Sequence, residues 1–285
     1  MIIFLNGEFV PRERAVISVF DRGFLYGDGL FETIRIFNGK PFRWREHIER
    51  LEAGAAFLGI KPPCSRRRLL AFADRLIAEN AMLDSVLRIA LSRGVGPSGY
   101  SPRAARTPTL VMFLRPAPKF DRRHQWKLIT ASIHIRGADP LSRFKTANKL
   151  TQVLARAEAD EVGADEALLL NADGFVAEGA GSNVFWVKRR AVYTPPVTAG
   201  TLPGVTRAVV FEICRRLKIA IAEENIRIED LRQADEIFLS LASWGIVQAV
   251  ALDGRRLRSE RMTGRIQRAY GNLLSETGRS ELPAR

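Results

Sequence analysis

Lys145 opens the stretch Lys145-Thr-Ala-Asn148-Lys-Leu150. Two further segments follow: Val176-Ala-Glu178-Gly-Ala-Gly-Ser-Asn183-Val-Phe and Thr201-Leu202-Pro-Gly204-Val205-Thr206-Arg207. Read in order, they offer an amine, a carboxylate and a helix start rich in backbone N–H groups. An amine holds an aldehyde as a Schiff base and later passes protons. A carboxylate facing a pyridine nitrogen keeps that nitrogen protonated, so the ring accepts electrons from a carbanion. Unpaired N–H groups at a helix start bind a phosphate dianion. Pyridoxal phosphate needs all three. Lys145 is the candidate amine; a working Schiff-base lysine needs a depressed pKa, reached by partial burial and by cationic neighbours, of which Arg143 and Lys149 stand close in sequence. Lys149 is the rival amine in the same stretch.

The elements that must position these groups are read from periodicity and turn signals. Ile2–Leu5 followed by Asn6-Gly7, and Thr33–Phe37 followed by Asn38-Gly39, read as strands entering tight turns. Apolar residues at Ile48, Leu51, Ala55 and Leu58 mark a helix over Arg45–Leu58, and Leu69–Met82 passes the same test. Val86–Ser92 and Thr109–Leu114 read as strands, as do Leu128–Ser132, Ala167–Asn171, Asn183–Val187 and Ile237–Leu241. Further helices are expected over Asn148–Glu161, Val205–Leu217 and Met262–Ser275. The irregular alternation, with several hairpins, points to an α+β fold rather than a doubly wound parallel sheet. Gly23…Gly29 opens toward a strand and lacks the strand-to-helix setting of a dinucleotide fingerprint. The prolines of Arg115-Pro-Ala-Pro-Lys-Phe-Asp suggest a linker, dividing the chain into an N-terminal domain (1–115), a linker (116–125) and a C-terminal cofactor-binding domain (126–285).

At 285 residues, with 46% hydrophobic and 26% charged residues, the chain has ample core for a globular protein. No apolar run has the length of a membrane span, and the start does not read as a signal peptide. Cys64 and Cys214 lack metal-ligand spacing, so no metal is expected, and two isolated thiols suit a cytoplasmic setting. The formal charge of +13 comes from short basic runs such as Arg66-Arg-Arg68 and Lys188-Arg-Arg190, scattered along the chain with no nucleic-acid-binding fingerprint. A solvated basic surface is the expectation, without nucleic acid as partner.

With Asp21-Arg-Gly-Phe-Leu-Tyr26-Gly-Asp-Gly-Leu-Phe31-Glu-Thr33-Ile-Arg35, His47-Ile-Glu-Arg50-Leu51 and Arg93-Gly94 added to the three segments above, the chain resembles fold-type IV pyridoxal-phosphate enzymes nearly end to end. These are the branched-chain aminotransferases, D-amino-acid aminotransferases and aminodeoxychorismate lyases. The resemblance implies a two-domain fold, with a smaller N-terminal α/β domain and a larger, β-rich C-terminal domain, and a homodimer with its sites near the interface. It implies Lys145 as the Schiff-base lysine, Glu178 as partner of the pyridine nitrogen and Arg50 as a phosphate ligand. Periodicity alone would turn Arg50 to solvent. Leu202 matches a residue packing on the cofactor ring, Gly204-Val205-Thr206 the phosphate-binding helix start, and Asn183 closes the Glu178 motif. Where branched-chain enzymes carry Gly-Thr-Ala, this chain reads Leu241-Ala242-Ser243, leaving Ser243 or backbone N–H groups to replace the threonine hydroxyl.

On the substrate side, strand parity puts Leu87, Ile89 and Leu91 on a core face and Val86, Arg88, Ala90 and Ser92 on the other. Arg88 matches a pocket arginine of branched-chain enzymes and suits a substrate carboxylate; a structural ion pair is the competing role. Tyr26, Phe31, Tyr100 and Ala242 complete the substrate set that the resemblance implies. The loop after Arg93-Gly94 departs from the relatives, with Ser98-Gly99-Tyr100 in place of their arginine-bearing motifs. The expected function is amino transfer between an α-amino acid and a 2-oxo acid by ping-pong turnover. The alternative is the lyase reaction, which releases p-aminobenzoate and pyruvate from 4-amino-4-deoxychorismate.

Overall fold

The computed structural model describes residues 1–119, 125–257 and 261–277. Phe120 to His124, within the expected linker, lie outside the described residues. The chain forms two compact units, the first built from Met1–Pro118 together with Phe144–Lys149 and the end of the last helix from Leu274, the second from most of the remainder.

The first unit runs β1 (Ile2–Leu5), β2 (Glu8–Pro11), α1 (Arg22–Tyr26), β3 (Gly29–Phe37), β4 (Lys40–Pro41), α2 (Trp44–Leu58), α3 (Arg66–Asn80), β5 (Ser85–Ser92) and β6 (Thr109–Pro116). Its six strands are ordered β2-β1-β6-β5-β3-β4, all pairs antiparallel. Alternation along β3 and β5 sends Leu30, Ile34, Ile36, Leu87, Ile89 and Leu91 to one face, where the apolar stripes of α2 and α3 (Ile48, Leu51, Ala55, Leu69, Ala73, Leu76) bury them. Each such side chain contributes about 1.5–3 kcal/mol when fully buried. Ser65 caps α3 through its hydroxyl, and Gly59 ends α2 in the left-handed conformation. Gly23–Gly29, read from sequence only as a glycine-rich approach to a strand, holds the short α1. Asp21 caps that helix by accepting from the Gly23 N–H at 2.7 Å. The Lys145 segment is tied to the start of β3: the Phe31 N–H donates to the Lys145 carbonyl and the Ala147 N–H to that of Gly29.

The second unit comprises β7 (Gln125–Ile135), α4 (Leu150–Glu161), β8 (Glu166–Asn171), β9 (Val176–Gly179), β10 (Asn183–Lys188), β11 (Ala191–Thr194), α5 (Val205–Arg216), β12 (Ile221–Glu223), α6 (Ile228–Leu231), β13 (Glu236–Leu241), β14 (Gly245–Leu252), β15 (Arg255–Arg256) and the part of α7 (Arg261–Thr277) that precedes Leu274. Its mixed sheet is ordered β12-β11-β10-β13-β14-β7-β8-β9, with β15 on β14. Val184, Trp186, Ile237, Leu239, Val247 and Trp126 build the core on one face. On the other, Phe185 stacks on Phe238 with ring centroids 4.9 Å apart. β14 escaped the sequence reading because both of its faces are buried over Gly245–Ala249, which erases the alternation that marks a strand.

Candidate active site

In the first unit, Phe31 gathers charge. The Lys145 Nζ lies 4.7 Å from its ring centroid and the Arg88 guanidinium carbon 3.3 Å from it. β3 and β5 pair Phe31 with Ala90 and Thr33 with Arg88, so these four side chains share the sheet face opposite the α2/α3 core. Burial, with the charge of Arg115, lowers the Arg88 pKa to about 10. An arginine so placed remains a cation at neutral pH and attracts carboxylates.

Glu32, one residue on from Phe31, points the other way and is fully buried. Its Oε1 accepts from the Arg50 Nε at 2.8 Å and its Oε2 from the Arg50 Nη2 at 2.8 Å, a bidentate pair, while His47 Nδ1 lies 2.7 Å from Oε2. Arg50, which periodicity would expose, therefore faces inward with His47, one helical step away on α2. Burial alone would raise the Glu32 carboxyl, but the Arg50 charge and the hydrogen bonds from His47 and Arg50 hold it at about 2. Burial pushes His47 down, against the pull of Glu32, so its neutral ring donates Nδ1–H to the carboxylate. Glu32 and His47 were not singled out from the sequence. The signal was available in the His47 to Arg50 spacing on one helical face, but its target lies on a distant strand.

Tyr26 and Tyr100 are brought together, with rings 5.7 Å apart, and the Tyr26 hydroxyl accepts from the Gly99 N–H at 3.0 Å. Tyr100 is 88% exposed. Just beyond Tyr26, Gly27 ends α1, and a Cβ there would meet Asn148 at 3.2 Å, so this turn lies against the Lys145 segment. Asp28 then anchors β3 through charge-assisted bonds from Arg22 and Arg93 at 2.9 and 2.7 Å.

In the second unit, Glu178 and Asn183 grip one residue from two sides. The Glu178 Oε2 accepts from the Leu202 N–H at 2.9 Å, and the Asn183 Nδ2 donates to the Leu202 carbonyl at 2.9 Å. Thr201 adds a bond from its hydroxyl to the Ala177 carbonyl. This loop delivers Gly204, which precedes α5 without a side-chain cap, and the first turn of α5 carries no acid. Val205 and Thr206 supply N–H groups there that have no intrahelical acceptor. A Cβ on Gly204 would lie 2.0 Å from Asn183 Oδ1, so any side chain there requires Asn183 to move. Buried Glu166, also absent from the sequence reading, holds the turn after Glu178 by accepting from the Gly181 N–H and the Ser182 hydroxyl. Ala242 and Ser243 are half-buried in the turn after β13. Ser240, on the strand itself and paired with Asn183, has a buried hydroxyl with no hydrogen-bond partner among the described residues.

Residues 29–252 match the family model described as amino-transferase class IV. A Methanocaldococcus jannaschii protein, provisionally named a branched-chain-amino-acid aminotransferase, is 36% identical over 282 residues, covering 98% of each chain. D-alanine aminotransferase of Bacillus licheniformis is 31% identical over 288 residues, covering 98% of this chain and all of that one (100%). The solved 4-amino-4-deoxychorismate lyase of Pseudomonas aeruginosa superposes with a TM-score of 0.82 at 32% identity, covering 93% of this chain and 97% of that one. With a family model spanning most of its length and relatives matched end to end, this chain belongs to the class IV aminotransferase family and has the α+β architecture of fold-type IV enzymes.

Proposed function

We propose that this chain is a pyridoxal-phosphate-dependent aminotransferase acting on α-amino acids and 2-oxo acids. The observation that carries the reading is one aromatic ring, Phe31, bearing both an amine (Lys145) and a cation suited to a carboxylate (Arg88). The residues fit the cofactor. Gly204, where a Cβ would press on Asn183, leads to an uncapped helix start free of acids, which suits a phosphate. Bound pyridoxal phosphate supplies the electron sink for the α-carbanion.

The protein's own groups do the rest. Lys145 would hold the cofactor aldehyde and carry the substrate α-proton. In the first unit Arg50, held by Glu32, would serve as a phosphate ligand; in the second unit the N–H groups of Val205 and Thr206 would do so, with Ser243 as a further hydroxyl. Glu178, whose Oε2 is fixed by the Leu202 N–H, would pair with the pyridine nitrogen, and Leu202, held by Asn183, would pack against the ring. Arg88 receives a substrate carboxylate, with Tyr26, Phe31, Tyr100 and Ala242 shaping the remainder.

We further read the protein as a cytoplasmic homodimer. No helix among the described residues is long and apolar enough to cross a membrane. Phe20, Phe24 and Tyr100 are 61%, 67% and 88% exposed in the first unit, aromatic side chains of the kind favoured where a second copy packs.

Holoenzyme assayed with L- and D-amino acids against 2-oxoglutarate and pyruvate, beside a p-aminobenzoate release assay, tests the reaction. Amino transfer is expected. Release of p-aminobenzoate with no exchange of amino groups would make the protein a lyase instead. In the same assays Lys145→Ala abolishes turnover and borohydride trapping of the cofactor; retention of both, with their loss in Lys149→Ala, would move the assignment to Lys149.

A further inference from the structure

The sheet face that carries Phe31 and Arg88 holds two more arginines. β5 and β6 pair Arg88 with Phe113 and Val86 with Arg115, while β3 and β5 pair Arg35 with Val86. Directly paired residues point to the same side of a sheet, so Arg35, Arg88 and Arg115 share this face. Their order along it follows from the register. The Phe31–Ala90 pair stands at the Lys145 end, the Arg88 pair comes one two-residue step further, and the Arg115 pair two steps, each step about 6.7 Å.

Arg35 is already satisfied. Its guanidinium reaches Asp84 at 2.5 Å and the carbonyls of Ile36 and Ser85 at 3.2 Å. Arg88 and Arg115 are different. Among the described residues, neither has a carboxylate within ion-pair distance. Arg88 lies on the Phe31 ring and Arg115 over that of Phe113, 5.9 Å from its centroid. The two charges are close enough for Arg115 to act against the ionised form of Arg88. Burial and the Arg115 charge both disfavour the ionised form of Arg88, and the Glu32 charge on the opposite face offsets them only in part, since the Arg88 pKa still falls to about 10. An anion from outside relieves that cost. Arg88 alone matches one carboxylate, so the second guanidinium, further from the amine, calls for a second.

We propose that Arg115 is a specificity residue that, with Arg88, selects amino and 2-oxo acids carrying a second carboxylate at the end remote from the reacting carbon. The proposal rests on reading the Lys145 face as an amino-transfer site. Because Arg115 is exposed, its pull is screened by salt and works chiefly on binding.

The test compares two five-carbon acceptors that differ only in the second carboxylate, 2-oxoglutarate and 2-oxopentanoate, in wild-type holoenzyme and in Arg115→Leu. The expected result is a fall of about tenfold or more in the ratio of their kcat/KM values, carried by KM, with Arg115→Lys restoring most of it. Glutarate, a non-reacting diacid, should inhibit wild type competitively and Arg115→Leu about tenfold less well. Added salt should lower the ratio in wild type and leave it nearly unchanged in Arg115→Leu. A ratio that stays within twofold in Arg115→Leu overturns the proposal, as does an equal loss for both acids. If wild type transfers amino groups to neither acid, the amino-transfer reading itself falls and takes the proposal with it.

Discussion

Glu32 spends its whole carboxylate inside the protein, on Arg50 and His47, and that makes it a pH-sensitive point of the first unit. Its pKa falls from the ordinary 4.5 to about 2, so its contribution to stability is complete above the unfolded value and is lost as pH drops through the folded one. His47 acts in the same direction. Burial lowers its pKa, so the unfolded chain binds the imidazole proton first, and stability falls as pH drops below the ordinary histidine value. Denaturant midpoints measured from pH 7 down to pH 3 should therefore decline, with part of the loss already present near pH 5. Glu32→Gln should flatten the lower part of that decline and cost on the order of 3–5 kcal/mol at pH 7, because it leaves Arg50 buried beside a neutral amide. A variant as stable as wild type, with an unchanged acid limb, would show that Arg50 is held by other groups. The same substitution should weaken pyridoxal phosphate binding more than that of pyridoxal, which lacks the phosphate that Arg50 is expected to hold.

At the scale of elements, the start of α5 is set by a strand and a loop before the helix begins. Asn183 on β10 reaches the Leu202 carbonyl and Glu178 on β9 the Leu202 N–H, and the Asn183 bond depends on Gly204 having no side chain. In Gly204→Ala the new methyl displaces the Asn183 side chain and breaks its bond to Leu202, which costs about 1 kcal/mol. The thermal midpoint should drop by a few degrees, and affinity for the phosphate-bearing cofactor should fall while that for pyridoxal changes little. An equal loss for the two ligands would mean that the helix start does not meet the phosphate. Backbone conformation is not the obstacle here, since Gly204 has φ −68°, a value any residue adopts.

For the whole molecule, the exposed aromatic surface and the net charge of +13 pull in opposite directions. Apolar surface favours association, and excess like charge opposes it at low ionic strength. Light scattering across protein concentration and salt should find a dimer that tightens as salt rises. Phe24→Glu should shift it toward monomer, since a carboxylate buried between copies lacks a partner. A concentration-independent monomer with full activity would sink the dimer reading.

Local periodicities and motifs are legible in the amino-acid sequence. The stripes of α2 and α3, the inward and outward faces of β5, and the Lys145, Glu178 and Gly204 segments are all short-range patterns, set by helix and strand geometry acting on neighbouring residues. The family is legible there too, because several such segments stand in a fixed order. Contacts that cross between distant segments are fixed by packing and are not written in any one stretch. The bidentate hold of Glu32 on Arg50, the double grip on Leu202 and the placement of Phe144–Lys149 in the first unit depend on how far-apart stretches pack. So does the shared face of Arg88 and Arg115, which needs the register of β5 against β6. That register is a property of the assembled sheet, where a one-residue slip would send Arg115 to the opposite face. β14 stayed hidden for a related reason: a strand buried on both sides loses the alternation by which a sequence announces it.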